Sequence, residues 1–253
     1  MSLLKSVYTN LIVSKSKVHY RLRHLLKTFS LDGIKLTISD DKILSEFVLL
    51  SLLQGGYEDK EHKVIKEKME ASDVVLELGA GMGFNSITAA KINGGKIVSY
   101  EANPALIPLI KRNQQLNEIS FEIRNKILLS QRPVSSSALF HVGKNFNTSS
   151  LKDYMMGDHS VTETIQVETA YLGDVLTELS PTFLIVDIEG AEADFFSKPD
   201  ILLHSSVQKI LVDLHPWVIG NDGCSEVVRN IMDAGFSMDS EWCNNSIFYF
   251  SRK

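Results

Sequence analysis

Cysteine is nearly absent from this chain of 253 residues: Cys224 and Cys243 occur, with no CxxC pair. Two thiols make no disulfide framework, and both read as packing residues of a reducing compartment. Long apolar runs are missing too. None reaches the roughly 18 residues that a membrane span needs. No apolar stretch leads into a small-residue cleavage site, so a secretory signal is not expected; composition leaves an organelle transit peptide open. There is no internal repeat and no low-complexity tract. Residues 1–31 carry no acid at all, but Lys5, Lys15, Lys17, Arg21, Arg23 and Lys27. The whole chain has a net charge of −5, so the remainder is markedly acidic.

Hydrophobic residues make up 44% and charged residues 23%, enough to bury a substantial core. Residues 1–70 read mainly as a helical segment packed on that core. Leu4, Val7, Leu11, Val18, Leu22, Leu25 and Leu26 fall at helical spacing. The basic face beside them either packs on the domain or meets an anionic membrane surface or partner protein. The expected location is cytoplasmic, with the inner face of a membrane as the second option, and no nucleic-acid partner is expected. Two further helices are predicted at 41–53 and 59–70.

From residue 71 onward, strands alternate with helices. Strands are predicted at 73–78, 96–101, 120–124, 182–187, 208–214 and 245–251, and helices at 84–92, 104–117, 190–196 and 224–234. Several strands are continuous apolar runs, as in a parallel sheet covered on both faces. The alternation argues for a doubly wound, mostly parallel, Rossmann-like α/β sheet over 71–253. An insertion at about 131–170 breaks the rhythm, with SALFHVG and TIQVETA as a small pair of β-strands.

VVLELGAGMGFNS follows the first of these strands and places Gly79, Gly81 and Gly83 at GxGxG spacing. A dinucleotide fingerprint, GxGxxG, needs glycine at position 84, which is Phe84. Glu77, just before the glycines, would repel a pyrophosphate and suit an amino-bearing ligand. S-adenosylmethionine, with an ammonium and a sulfonium, fits best. Glu101 ends the next strand eighteen positions beyond Gly83, near the ~20 typical of an acid that reads ribose hydroxyls. Cofactor contacts are expected from Glu77, Gly79, Ala80, Gly81, Gly83, Phe84, Asn85, Glu101, Ala102 and Asn103, with Tyr57 and Glu58 closing over the ligand. Asn103 and Pro104 read as a helix start.

The second motif is FLIVDIEGAEADFF, 183–196. A buried strand ends in Asp187, Glu189 and Glu192 around Gly190, and the next strand ends in LVDLHP with Asp213 and His215. Ligands of open parallel sheets bind at the carboxyl ends of the strands, near the point where strand order reverses. These acids are therefore expected at the reactive end of the cofactor.

ELGAGMGFNS, YEANP at 100–104 and above all DIEGAE resemble the FkbM family of S-adenosylmethionine-dependent methyltransferases. GGYEDKE at 55–61 and TIQVETAYLGDVL ahead of DIEGAE resemble it as well, over roughly residues 55–251. The family often has Asp at the position of Glu77. The resemblance implies a Rossmann-like class I methyltransferase sheet and methyl transfer to a hydroxyl oxygen. Members of the family modify macrolide natural products and the sugars of glycans, lipopolysaccharides and glycolipids. A carbohydrate or natural-product hydroxyl is thus the expected acceptor. A dinucleotide oxidoreductase and a non-catalytic scaffold recruited through residues 1–31 stand as alternatives.

Methyl transfer to an alcohol needs alignment, exclusion of water and a group to take the proton. His215 is the preferred base, against a purely orienting role at the rim. Asp187 and Glu189 either orient the acceptor, act as base, or bind Mg²⁺ or Mn²⁺ together with Asp213. Glu192 reads as a structural helix-start charge. His141, His159 and His204 have no companions at ligand spacing. Ser149, Ser150 and Lys152 sit where the acceptor is expected, and Trp217 and Trp242 either stack on sugars or pack.

Overall fold

The computed structural model of the protein describes residues 18, 21, 25–39, 43–143, 149–151 and 161–252. Most of the basic segment 1–31, together with Lys152 and His159, lies outside them. After helical positions at Val18, Arg21, Leu25 and Leu26 comes a hairpin, β1 (Thr28–Leu31) and β2 (Ile34–Thr37). Leu31 pairs with Ile34 across Asp32 and Gly33, at φ 48° and 79°. Two left-handed residues give a turn whose twist matches the strands. The hairpin was not among the elements expected in residues 1–70, whose other described elements are helical, and the Asp32-Gly33 dipeptide was its signal in the sequence.

Helix α1 (Glu46–Gln54) starts where the Ser45 hydroxyl accepts from the Val48 amide at 3.3 Å, and it stops at Gly55 in the left-handed region. Helix α2 (Asp59–Lys68) buries Glu61, His62, Val64 and Ile65 along one face. Then follow β3 (Val75–Leu78), α3 (Phe84–Asn93), β4 (Ile97–Tyr100), α4 (Ile107–Leu116), β5 (Glu122–Arg124), β6 (Ile127–Leu129), β7 (Ser137–Gly143), β8 (Val161–Tyr171), α5 (Leu172–Leu179), β9 (Phe183–Val186), α6 (Glu192–Phe195), α7 (Asp200–Leu203), β10 (Lys209–Asp213), α8 (Pro216–Asp233), β11 (Ser237–Met238) and β12 (Ile247–Ser251).

Seven strands build the central sheet in the order β11-β12-β10-β9-β3-β4-β5. The five from β10 to β5 are parallel, and β12 runs antiparallel to β10. This is the doubly wound, mostly parallel Rossmann-like sheet that the alternation predicts. Side chains alternate between two cores. Val75, Phe183, Ile185 and Leu211 face α1 to α4 and the hairpin, while Leu76, Leu78, Leu184, Val186, Ile210 and Val212 face α5 and α8. A two-sided core explains the uninterrupted apolar strands.

The insertion forms a separate three-stranded sheet, β6-β8-β7, around Ile127, Phe140 and Val167. Strand β6 and helix α5 were not expected. Tyr171 and Leu172 join β8 directly to α5, so no turn residues mark that boundary in the sequence. Helix α8 begins at Pro216, ahead of the predicted 224, with a break at Gly220. No helix among the described residues is long and apolar enough to cross a membrane.

Asn113 of α4 and Asn117, which caps its end, act as a strand edge for the hairpin. Asn113 Oδ1 accepts from the Thr37 amide at 2.9 Å while its Nδ2 donates to the Met82 carbonyl at 2.9 Å. Asn117 exchanges two bonds with Lys35. The Asn113→Ala change strands two buried backbone groups and is expected to cost about 2–4 kcal/mol in urea unfolding. At the half-buried Asn117 the same change is expected to cost about 1 kcal/mol.

Candidate active site

A cavity of about 480 Å³ opens at the carboxyl ends of β3, β4, β9 and β10, within the ~300–1,000 Å³ range of ligand sites. It sits beside β3, where the chain's strand order reverses, the expected ligand position in an open α/β sheet. Gly79 and Gly81 reach it after β3, Glu101 and Ala102 after β4, Asp187 and Glu189 after β9, and Asp213 and His215 at the end of β10. Tyr57, Glu58 and Glu61 close it from the side of α2. Phe47 and Trp217, 67% and 51% exposed, stand among its lining residues.

On the glycine loop, Gly79 has φ 83°, and a Cβ there would lie 1.6 Å from the Asp187 carbonyl oxygen. Only glycine allows the two strand ends to touch. The Gly81 amide donates to Glu101 Oε2 at 3.0 Å and the Asn103 amide to Oε1 at 2.8 Å. Desolvation by burial raises the Glu101 carboxyl to about 7, against those two bonds. Asn103 also caps the following turn, its Oδ1 accepting from Ala105 at 3.0 Å.

Several expected cofactor residues lie away from the cavity wall. Glu77 is buried on the opposite face of β3, where its Oε2 accepts from the hydroxyls of Ser86 and, at 2.7 Å, Ser99. Alternation decides this, because Leu78, not Glu77, points to the cavity side. Ala80, Gly83, Phe84 and Asn85 are packed beneath the loop, with Phe84 only 1% exposed and stacked on His62. They shape the loop and do not line the cavity. Gly79, Gly81, Glu101, Ala102, Tyr57 and Glu58 do line it.

His215 is held on both nitrogens. Nδ1 lies 2.8 Å from Glu192 Oε1, and Nε2 lies 3.1 Å from Glu189 Oε2 and 3.5 Å from Asp187 Oδ1. Burial alone would lower its pKa, but the bonds to Glu189 and Glu192 and the charges of Glu189 and Asp187 push it up to about 12. The ring is an imidazolium at neutral pH. It therefore has no lone pair to accept a proton, which corrects the expectation of a His215 base.

Glu192 is fully buried and also accepts from the Gly190 amide at 3.0 Å, so its role is inside the cluster and not at a helix surface. Glu58 and Glu189 both hold left-handed backbones, φ 47° and 51°, at about 1 kcal/mol or more each. Such strain gathers where side chains must be aimed. Burial raises the carboxyls of Asp187, Glu189 and Asp213, and neighbouring acids add to it.

Asp187, Asp213 and His215 can each bring one ligand atom within 4.8 Å of the others. Yet the ring spends both nitrogens on carboxylates, and its positive charge lies 3.5 Å from Asp187. This donor set does not fit a divalent cation between Asp187 and Asp213.

Of the other expected residues, Ser149 lines the cavity, though its hydroxyl accepts from the Gly143 amide. Ser150 pairs with His141 by backbone. Trp217 lines the cavity with its ring edge-on to His215, whereas Trp242 packs under Lys68. Glu61 was not anticipated. Its signal was an acid on the same helical face as Val64 and Ile65.

The family model of the methyltransferase FkbM domain matches residues 77–238, from the end of β3 to the end of β11. This chain belongs to the FkbM methyltransferase family. It is an S-adenosylmethionine-dependent methyltransferase, and the dinucleotide oxidoreductase alternative falls.

Among solved structures, the FkbM methyltransferase is similar to a precorrin-6y C5,15-methyltransferase from Geobacter metallireducens GS-15. That match has 13% identity and a TM-score of 0.45 over 77% of this chain and 86% of that one. A ribosomal protein L11 methylase from Lactobacillus delbrueckii subsp. bulgaricus matches at 12% identity and TM-score 0.45, over 79% of each chain. The tRNA (uracil-54, C5)-methyltransferase of Pyrococcus abyssi, in complex with S-adenosyl-L-homocysteine, matches at 13% and 0.47, over 88% of this chain and 43% of that one.

A buried carboxyl raised to about 7 favours the fold below the unfolded value near 4.5, and that contribution is lost as pH rises through 7. The melting temperature of the ligand-free FkbM methyltransferase is therefore expected to fall between pH 5 and 8. In Glu101→Gln, neutral throughout, the fall is expected to be shallower.

Proposed function

We infer that the FkbM methyltransferase moves the methyl group of S-adenosylmethionine to a hydroxyl oxygen of a sugar, a glycan or a glycosylated natural product. One observation carries this reading. The ribose-reading acid Glu101 and the Asp187 carboxylate, with a buried oxygen lacking a hydrogen-bond partner, line one cavity across the Gly79–Asp187 contact.

When bound, the cofactor supplies a methyl group on a sulfonium, a carbon already activated for displacement. The chain's own residues do the rest. Gly81 and Asn103 amides fix both Glu101 oxygens, which leaves their remaining lone pairs for two ribose hydroxyls. Burial raises the Asp187 carboxyl and makes it a stronger base than an exposed aspartate. It accepts the acceptor's hydroxyl proton as the oxygen attacks. Glu189, pinned by the His215 ring, accepts a second hydroxyl bond and orients the sugar. The half-exposed ring of Trp217 offers a flat face to an apolar sugar surface. Tyr57 and Phe47 narrow the cavity and keep water from the reacting atoms.

Calorimetry with S-adenosylmethionine tests the cofactor half. Glu101→Ala is expected to weaken binding about 100-fold or more, from two lost charge-assisted bonds. No binding by the wild type at millimolar cofactor sinks the reading. Mass spectrometry of a glycan library incubated with labelled donor tests the acceptor half. There Asp187→Asn is expected to lower turnover about 100-fold or more, with cofactor affinity within about three-fold.

A further inference from the structure

Residues 1–31 take no part in the mechanism above, yet they are the acid-free stretch of an acidic chain. Their apolar residues keep a helical period up to the hairpin. At about 100° per residue, Val18, Leu22, Leu25 and Leu26 share a sector about 100° wide, and Arg21, Arg23 and Lys27 lie outside it. Such a sector either packs on the domain or meets something else.

At the described positions the domain does not cover it. Val18, Leu25 and Leu26 are helical and 52%, 80% and 45% exposed, and Arg21 beside them is exposed too. The segment ends at a fixed point. Lys27 turns into the left-handed region at φ 55°, and its carbonyl accepts from the Ile38 amide at 2.9 Å. From there β1 runs to Leu31, whose Cδ1 lies 3.8 Å from where a Gly55 Cβ would stand, at the end of α1. Helix α1 shows a second uncovered apolar face on this side of the fold. It buries Val48, Leu49 and Leu52, leaves Leu50 and Leu53 half-buried, and holds Phe47 67% exposed where it lines the cavity.

Whatever covers these residues has to offer apolar surface and negative charge together. An anionic phospholipid surface offers both, since acyl chains take the leucines and headgroups take the cations. The same surface repels the acidic remainder of the chain. Attraction is thus confined to one segment, and that asymmetry orients the molecule as well as binding it.

We propose that residues 1–31 dock the protein on an anionic phospholipid surface, with Val18, Leu22, Leu25 and Leu26 at the acyl boundary and Phe47 of α1 meeting the same surface beside the cavity. The cavity then opens next to the lipid. Docking of this kind does not depend on which hydroxyl is methylated.

Flotation of the full chain with vesicles tests the proposal, using phosphatidylcholine alone against phosphatidylcholine with about one-third phosphatidylglycerol. The wild type is expected to bind the anionic vesicles about ten-fold or more tightly than the neutral ones, and to lose most of that preference at about 0.5 M salt. Replacing Lys15, Lys17, Arg21 and Arg23 together by Gln is expected to weaken binding about 100-fold or more. Val18→Ser, Leu25→Ser and Leu26→Ser combined are expected to weaken it about ten-fold, and Phe47→Ser about three-fold. The triple serine variant is expected to keep its melting temperature and its affinity for S-adenosylmethionine, because these side chains are exposed.

Equal binding to both kinds of vesicle overturns the proposal, as does full binding by the glutamine variant. Full binding by the triple serine variant overturns it too, since charge alone would then act without a seated apolar face. A melting temperature lowered by about 3 °C or more in that variant, with vesicle binding intact, means that the face packs on the domain. Binding to neither vesicle overturns the proposal in favour of a protein partner for the same face. Loss of S-adenosylmethionine binding by the wild type strikes the functional reading and leaves the docking result standing.

Discussion

The closest constraint in the molecule is the contact between Gly79 and the Asp187 carbonyl. Strands β3 and β9 run in register, Leu78 opposite Val186, and the Asp187 amide donates to the Leu78 carbonyl. One residue later, no side chain fits between the two backbones. The strands therefore stay together until both loops have begun, and the loops then part in opposite directions. The glycine loop turns toward β4 and meets Glu101, while the DIEG loop turns toward β10 and meets His215. The cavity is the gap that this parting leaves.

Charge sets the second constraint. The cavity wall carries Glu58, Glu61, Glu101, Asp187, Glu189 and Asp213. His215 answers part of this, its ring clamped between Glu189 and the buried Glu192. That clamp also holds Glu189 in a backbone conformation that glutamate does not favour. Gly190 lets Val218, at the start of α8, close over it, since a Cβ there would sit 2.3 Å from Val218 Cγ1. The remaining acids are held away from bulk water but open to the cavity, an arrangement suited to ligands that bring positive charge or hydroxyl donors.

The strands were legible because each of β3, β4, β9, β10 and β12 is a compact apolar run between helices, and burial on both faces demands that composition. The glycine loop and DIEGAE were legible because backbone contact and ligand approach restrict the residues allowed there. The hairpin was missed although Asp32-Gly33 marks it, since the surrounding TFSL and IKLT are short and offer a weak alternation. Glu77 was misassigned because adjacent strand positions face opposite sides. Spacing along the sequence placed it next to the glycines, while the pleat turned it toward Ser86 and Ser99.

By itself, the sequence determined the α/β alternation, the order of the motifs and the identity of the acids, since local composition and turn chemistry carry that information. Only the tertiary structure decided which acids share a space. Glu61 and Asp213 are 152 positions apart in the chain, and nothing local says that both line one cavity. Nor could the chain order show that His215 has a carboxylate on each nitrogen. Its protonation state, and with it the loss of its role as base, follows from three partners delivered by a different strand end. Charge state depends on what surrounds a group in three dimensions, and that environment exists only after folding.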